Sequence, residues 1–371
     1  MTTPEIPSFD KTTFLVSHEG VVTAKVDSTS MEEMGGDPET GNETALLKIA
    51  RRLAADGFAD RLSTGKTGRT MHTKIPAKLA AIDGFTRIAL ACVAEISASS
   101  QLMRTGSDRE ALHRMRVGLR RLRAAFAAFK GILRTGDLET RKKEAKWLAG
   151  ELGGARDLDV FIENISPLKA NGSGEDPAWA LFGSRLLMMR AAAYEQALAA
   201  IESRRFSAFT RDCADWAGGA LEPPAADANS TNMRDGNSST LGRHTLSRLH
   251  HRLRKAGRHL TRLDPADQHI ARIRAKKLRY TAEFFAETFD GSAEGHRLNY
   301  IASLTVLQDA LGKLNDLAMV QKCACAVAGH SAELAFHAGQ IIGDRTTEHT
   351  RLLAKAARAY GHWRDARPFW H

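Results

Sequence analysis

Long apolar runs are missing from this chain. No stretch approaches the roughly 20 uninterrupted apolar residues that a bilayer span requires, and the opening MTTPEIPSFD lacks the basic-then-apolar pattern of a secretory signal. A cytoplasmic address and no membrane partner are the expectation. Cysteine is scarce as well, four in 371 residues, too few for a disulfide framework in a chain of this size. Cys323 and Cys325 would point to opposite sides of a helix, so all four are read as reduced. Alternating Val and Ile runs are nearly absent after Ile75, which leaves little room for sheet.

What is present is a soluble, globular balance, 43% apolar and 26% charged. The charge is uneven. Residues 1–44 hold nine Asp or Glu against two Lys, a local −7, which leaves about +17 on the remainder of a chain whose net charge is +10. A body this basic calls for an acidic partner.

The expected fold is all-α. Residues 1–44, rich in Pro, Gly, Thr, Ser and acids, read as an acidic and mostly disordered segment, with short apolar pieces around Phe14 to Val26 able to dock as an arm. Its −7 could fold onto the basic body and compete with a ligand. Residues 45–75 read as a short helix and linker. Helices are predicted near 76–104, 108–134, 137–152, 155–165, 177–203 and 205–217, forming a first bundle over 76–220. A second bundle over 241–360 has helices near 241–262, 265–289, 295–314, 316–328 and 331–360. Between them LEPPAADANSTNMRDGNSST, residues 221–240, can neither continue a helix nor fill a core. Residues 361–371 read as a tail. The clearest helix start is Asp264 followed by Pro265, a carboxylate cap and a preset first-turn φ.

Comparing the chain with itself exposes an internal repeat. HRMRVGLRRLR at 113–123 aligns without a gap on HIARIRAKKLR at 269–279, and LGGARDLDV at 152–160 on LGKLNDLAMV at 311–320. Order and spacing are kept in both pairs. A duplicated unit of about 140 to 160 residues follows, giving two helical bundles related by an approximate two-fold axis around a basic central channel or groove.

At about 100° per residue, His113, Arg116, Arg120 and Arg123 fall within an arc of roughly 80°, with Lys130 and Arg134 extending the face. His269, Arg272, Lys276 and Arg279 repeat the arrangement, and Arg121 aligns with Lys277. No acid stands between His113 and Arg134, nor between His269 and Thr281. Solvated helical faces ordinarily interleave both signs, because adjacent like charges repel by a few tenths of a kcal/mol per pair. Two copies of a one-sign stripe dominated by Arg, whose planar fork suits phosphate oxygens, point to anion binding. A histidine at the start of each stripe can donate to a phosphate oxygen and gain charge beside a bound polyanion. Metal ligation is the competing reading of the histidines, and no metal is assigned. Catalysis has less support, since paired carboxylates, a glycine-rich phosphate loop and an ExExK-type acidic strand are not found. Asp157, Asp159 and Asp316 read as caps or as orienters of neighbouring Arg side chains such as Arg156. No catalytic residue and no cofactor is assigned.

The motifs HRMRVGLRRLRAAF, LGGARDLDV, HIARIRAKKLRYTAEFF and LQDALGKLNDLA, in that order, resemble the CHAD family, the conserved histidine alpha-helical domain, over about residues 76–360. The resemblance implies paired helical bundles whose basic, histidine-containing surface binds inorganic polyphosphate, often at polyphosphate granules. Carried over by position, the binding residues are His113, Arg116, Arg120, Arg123, His269, Arg272, Lys276 and Arg279. Arg156, Lys277, Lys130 and Arg134 are weaker candidates. The second copy departs from the first at Asn315, which stands where the first has Arg156. Nothing resembling a CYTH catalytic domain precedes the match, which removes the most direct route to an enzyme. Nucleic-acid binding and a metal-dependent phosphohydrolase are the alternatives. The former is weakened by only 6% aromatic residues, none of which interleaves with the stripe to stack bases.

Overall fold

A computed structural model describes residues 14–16, 22–24, 74–106, 109–169, 176–218, 236–289, 294–343 and 346–371. The chain divides into two units, Met1–His72 and Thr73–His371. In the first, strands β1 (Phe14–Val16) and β2 (Val22–Ala24) pair antiparallel with Leu15 opposite Thr23. The apolar pieces expected as an arm thus include a hairpin. The remainder of residues 1–44, the short helix and linker at 45–73 and most of the 221–240 connector lie outside the described residues.

The second unit is helical, as the periodicity predicts. Its elements are α1 (Ala81–Thr105), α2 (Arg109–Ala128), α3 (Thr135–Glu151), α4 (Gly153–Lys169), α5 (Pro177–Glu202) and α6 (Arg204–Gly218). There follow α7 (Ser238–Ala256), α8 (Pro265–Phe284), α9 (Glu294–Ala328), α10 (Ala332–Gly343) and α11 (Thr346–Asp365). Local chemistry sets several starts. Asp264 accepts from the Asp267 amide at 2.8 Å with Pro265 in the first turn, and Asp176 accepts from Ala178 at 2.9 Å ahead of Pro177.

Several boundaries differ from expectation, two of them where apolar spacing continues past a helix end. α2 stops at Ala128, and Phe129, Ile132 and Leu133 are buried from a turn instead. α8 stops at Phe284, with Phe285 and Phe289 buried beyond it. α9 runs unbroken for 35 residues across the expected break at Asn315, with Leu311 and Leu314 buried on one side before it and Val320 and Cys323 buried on another side after it. The last predicted helix is two, α10 and α11. Residues 361–371 do not form a loose tail, since Trp363, Phe369 and Trp370 are buried and Trp370 donates through Nε1 to Ser247 at 2.9 Å.

The core is shared between the two halves of this unit. Leu158 and Phe161 of α4 and Phe182 of α5 pack with Val320 and Val327 of α9 and Leu334 of α10 in one buried cluster. Phe129 stacks on Phe285 with ring centroids 5.6 Å apart. Ile75, fully buried, donates its amide to Phe284 at 3.0 Å and so ties the start of the first half to α8. The repeat-equivalent helices meet one another, α2 against α8 and α4 against α9, while α2 also touches α4 and α8 touches α9.

Candidate functional site

The meeting of α2, α4, α8 and α9 decides where the basic stripes lie. On α2, Met115, Leu119, Leu122 and Phe126 are buried; on α8, Ala271, Ala275 and Leu278 are. With those sides committed to the core, the neighbouring arcs carrying the cations turn toward each other. His113 feels Arg156, Arg120, Arg116 and Lys276. Arg116 feels Arg120, Arg156 and Arg272, and Lys276 feels Arg272, Arg120 and Arg116. Sequence-predicted residues from both copies therefore form one cluster. Its Arg and Lys members, Arg116, Arg120, Arg156, Arg272 and Lys276, are opposed by Asp157 and Asp316, which lie within reach of Arg116 and of Arg272 and Lys276 respectively.

These cations are half-buried and under-bonded. Among the described residues, seven buried side-chain nitrogen atoms lack a hydrogen-bond partner, and four of them are His113 Nδ1, Arg116 Nε, Arg120 Nε and Arg272 Nε. Buried donors are nearly always satisfied, because each unpaired one costs on the order of 1–3 kcal/mol. Such donors concentrated in one place mark a spot prepared for acceptors. Arg116 has one weak contact, Nη1 to the Ala149 carbonyl at 3.4 Å. A β-carbon at Gly153, first glycine of LGGARDLDV, would sit 3.6 Å from the same nitrogen, so the two repeated motifs adjoin in space.

Burial and like charge act together on protonation. Desolvation, then the surrounding Arg and Lys charges, push His113 down to about 4. Lys276 falls to about 7 through burial and then Arg272 and Arg120. Arg116 is lowered to about 10, by burial first, and Arg272 is lowered by burial as well. Burial raises Asp316 despite the opposing pull of Arg272 and Lys276. His113 is consequently neutral at neutral pH in the ligand-free protein, a hydrogen-bond donor rather than a cation.

Other predicted residues stand elsewhere. Lys130 and Arg134 do not extend the α2 face: the helix has ended, Lys130 is exposed on the turn, and Arg134 precedes α3 beside Asp137 at 3.9 Å. Arg279 is engaged, Nη1 with Glu283 at 2.5 Å and Nε with Gln308 at 2.7 Å. Arg121 is buried against the same Glu283 at 3.2 Å and has a structural role. Lys277 turns away from the cluster toward Arg123, Arg252, Lys142 and Arg274, whose charges add to burial in lowering its pKa. Arg123 belongs with that group. Within the cluster, Arg156 has a distant carboxylate, Glu163 at 4.0 Å. His269 is exposed, and its Nδ1 lies 2.7 Å from Asn315 Oδ1. The pair is the positional counterpart of His113 with Arg156, so the sequence departure at Asn315 exchanges a charge contact for a neutral hydrogen bond. Asp159 orients an Arg, but Arg190 and not Arg156: it accepts from Arg190 Nε and from the Tyr194 hydroxyl, both at 2.7 Å.

Sequence reading missed Lys142, Arg252 and Arg274 around Lys277. For Arg252 a signal was available, since residues 238–263 contain no acid at all. Glu110 stands three residues before His113, a spacing that could supply a second metal ligand, yet among the described residues no three His, Cys, Asp or Glu converge on a point. No helix of the described residues is long and apolar enough to cross a membrane.

Comparisons with known proteins agree with this architecture. Residues 87–324 match the family model of the CHAD domain. Among solved structures, the CHAD domain from the plant Ricinus communis is similar with a TM-score of 0.65 and 23% identity, over 79% of this chain and 96% of that one. PptA from Streptomyces chartreusis is similar with a TM-score of 0.58 and 20% identity, over 76% of this chain and all of that one. A comparison with curated proteins gave no match. At such identities the structural likenesses speak for the fold, and it is the family match, spanning well over half of the sequence, that shows the chain to belong to the CHAD family.

Proposed function

We propose that the cluster between α2 and α8 binds inorganic polyphosphate without turning it over, in the cytoplasm and at polyphosphate granules. One observation carries the reading: unpartnered buried N–H groups of Arg116, Arg120 and Arg272, drawn from both copies of the repeat, converge with Lys276 and two carboxylates cannot neutralise them. A chain of phosphates supplies many acceptors and a charge at every unit, which suits donors spread along two facing helices. Each Arg or Lys engaged displaces a counterion, so affinity falls steeply with salt. Asp157 and Asp316 hold cations in this scheme and perform no chemistry.

The test is a titration with size-fractionated polyphosphate at about 0.05 M and about 0.2 M salt, alongside an assay for released phosphate. The wild-type chain is expected to bind with strong salt dependence and to release none. Arg116→Gln with Arg272→Gln, shown folded by circular dichroism, is expected to bind at least about tenfold more weakly, each lost charged hydrogen bond being worth about 1.5–3 kcal/mol. Equal binding by the double variant refutes the site. Displacement by single-stranded RNA at equal phosphate equivalents would make the ligand a nucleic acid, and chelator-sensitive phosphate release would make the protein an enzyme.

A further inference from the structure

A second basic groove lies along α11, a helix beyond the residues that match the family model, and against α9, whose Lys313 falls within them. It has a volume of about 560 Å³, runs between α9 and α11, and is lined by Lys313, Arg351, Lys355, Arg358 and His362, with Glu348 among them. On α11 the spacing of Arg351, Lys355, Arg358 and His362 puts all four within an arc of roughly 60°. The adjoining side is fixed, because Leu352, Ala356, Ala359 and Trp363 are buried.

The ordinary explanation is a solvated helix face, and two facts count against it. No acid occurs between Arg351 and Arg364, so the face is of one sign as the α2 and α8 stripes are. Second, Lys313, Arg351, Lys355 and Arg358 form no ion pair among the described residues, whereas Arg364 at the end of the same helix pairs with Asp365 at 2.8 Å. Among the lining residues Glu348 alone opposes the repulsion along the stripe, and it pairs with none of these cations. The eleven steps from Arg351 to His362 rise about 16 Å, a length that suits an extended anion rather than a single phosphate.

We infer that this groove is a second binding site for a linear oligophosphate. The identity of the ligand rests on the function proposed above; the groove and its charge do not. Two sites that share no lining residue allow one protein to hold two phosphate chains, or two reaches of a long one.

Tripolyphosphate titrated calorimetrically into the full chain tests it, because so short a probe occupies each site separately. Two bound per chain are expected for the wild type. One is expected for Arg351→Gln, Lys355→Gln, Arg358→Gln, whose side chains are exposed and whose loss leaves the core intact. One is also expected for Arg116→Gln, Arg272→Gln. If the α11 triple variant binds the same number with the same affinity as wild type, the inference is overturned while the central cluster stands. If the triple variant loses a site and the central double variant loses none, the groove is upheld and the function proposed for the cluster fails. Occupation of the groove by an RNA oligonucleotide but not by tripolyphosphate also overturns the inference.

Discussion

Lys276 carries the electrostatic cost of the cluster most plainly. Its half-buried ammonium sits among Arg272, Arg120 and Arg116, and its pKa falls to about 7 from an ordinary 10.5. Between those values the unfolded chain binds a proton that the folded protein does not, so this group's contribution to stability rises as pH climbs from 7 toward 10.5. Below pH 7 both states are protonated and the full penalty is felt. Lys276→Met is therefore expected to stabilise the ligand-free protein by about 1–3 kcal/mol at pH 6, after allowance for solvent relaxation around the site. The gain should shrink by more than half at pH 9.5, as read from urea midpoints, and the variant should bind polyphosphate more weakly. A stabilisation that does not change with pH would show that Lys276 is not held against its own charge. The sequence marked Lys276 through the repeat and the absence of acids; it could not show that Arg279, one turn on, is claimed by Glu283 and Gln308. Helical angle places a side chain on a face, but a long guanidinium is captured by whatever carboxylate the tertiary structure brings near.

At the scale of elements, α11 is held against α7 by a close approach. A β-carbon at Gly257 would run into the Tyr360 ring, whose hydroxyl donates to the Arg254 carbonyl at 2.8 Å. Gly257 follows the last turn of α7 and gives its amide to Leu253 at 2.9 Å, so neither helix can retreat without losing a bond. Gly257→Ala is expected to destabilise the protein by about 1–3 kcal/mol through overpacking, measurable by urea unfolding, and unchanged stability would contradict this packing. Helix identity was well marked in the sequence, helix ends less so. Asp264 with Pro265 announced its start because capping is local chemistry, whereas the ends of α2 and α8 were hidden by apolar residues that continue inward from turns. The first copy has a break at Leu152, between α3 and α4, while at the aligned Leu311 and at Asn315, where a break was expected, the second copy runs straight through.

For the whole molecule, the shared core matters more than the duplication. Phe161 and Phe182 on one side and Val320 and Val327 on the other are buried by each other, so neither half can exclude water alone. A chain divided within residues 221–240 and co-expressed as two pieces is expected to elute as a single complex. Either piece by itself is expected to aggregate, because its half of the cluster would become an exposed apolar patch. Two soluble monomeric pieces in size-exclusion chromatography would refute a common core. Duplication was visible as matching motifs, but interlocking of the copies was not, since apolar periodicity says that a face is covered and never by what.

The exchange of Arg156 for Asn315 gives a symmetrical ligand an unsymmetrical host. Inorganic polyphosphate reads the same from either terminus, while one border of the cluster presents a guanidinium beside its histidine and the other presents an amide. On the proposed function, an arriving strand is captured first at the Arg156 border, where the field is steeper, and peels away from the Asn315 border, giving loading and unloading a direction that the ligand itself does not possess.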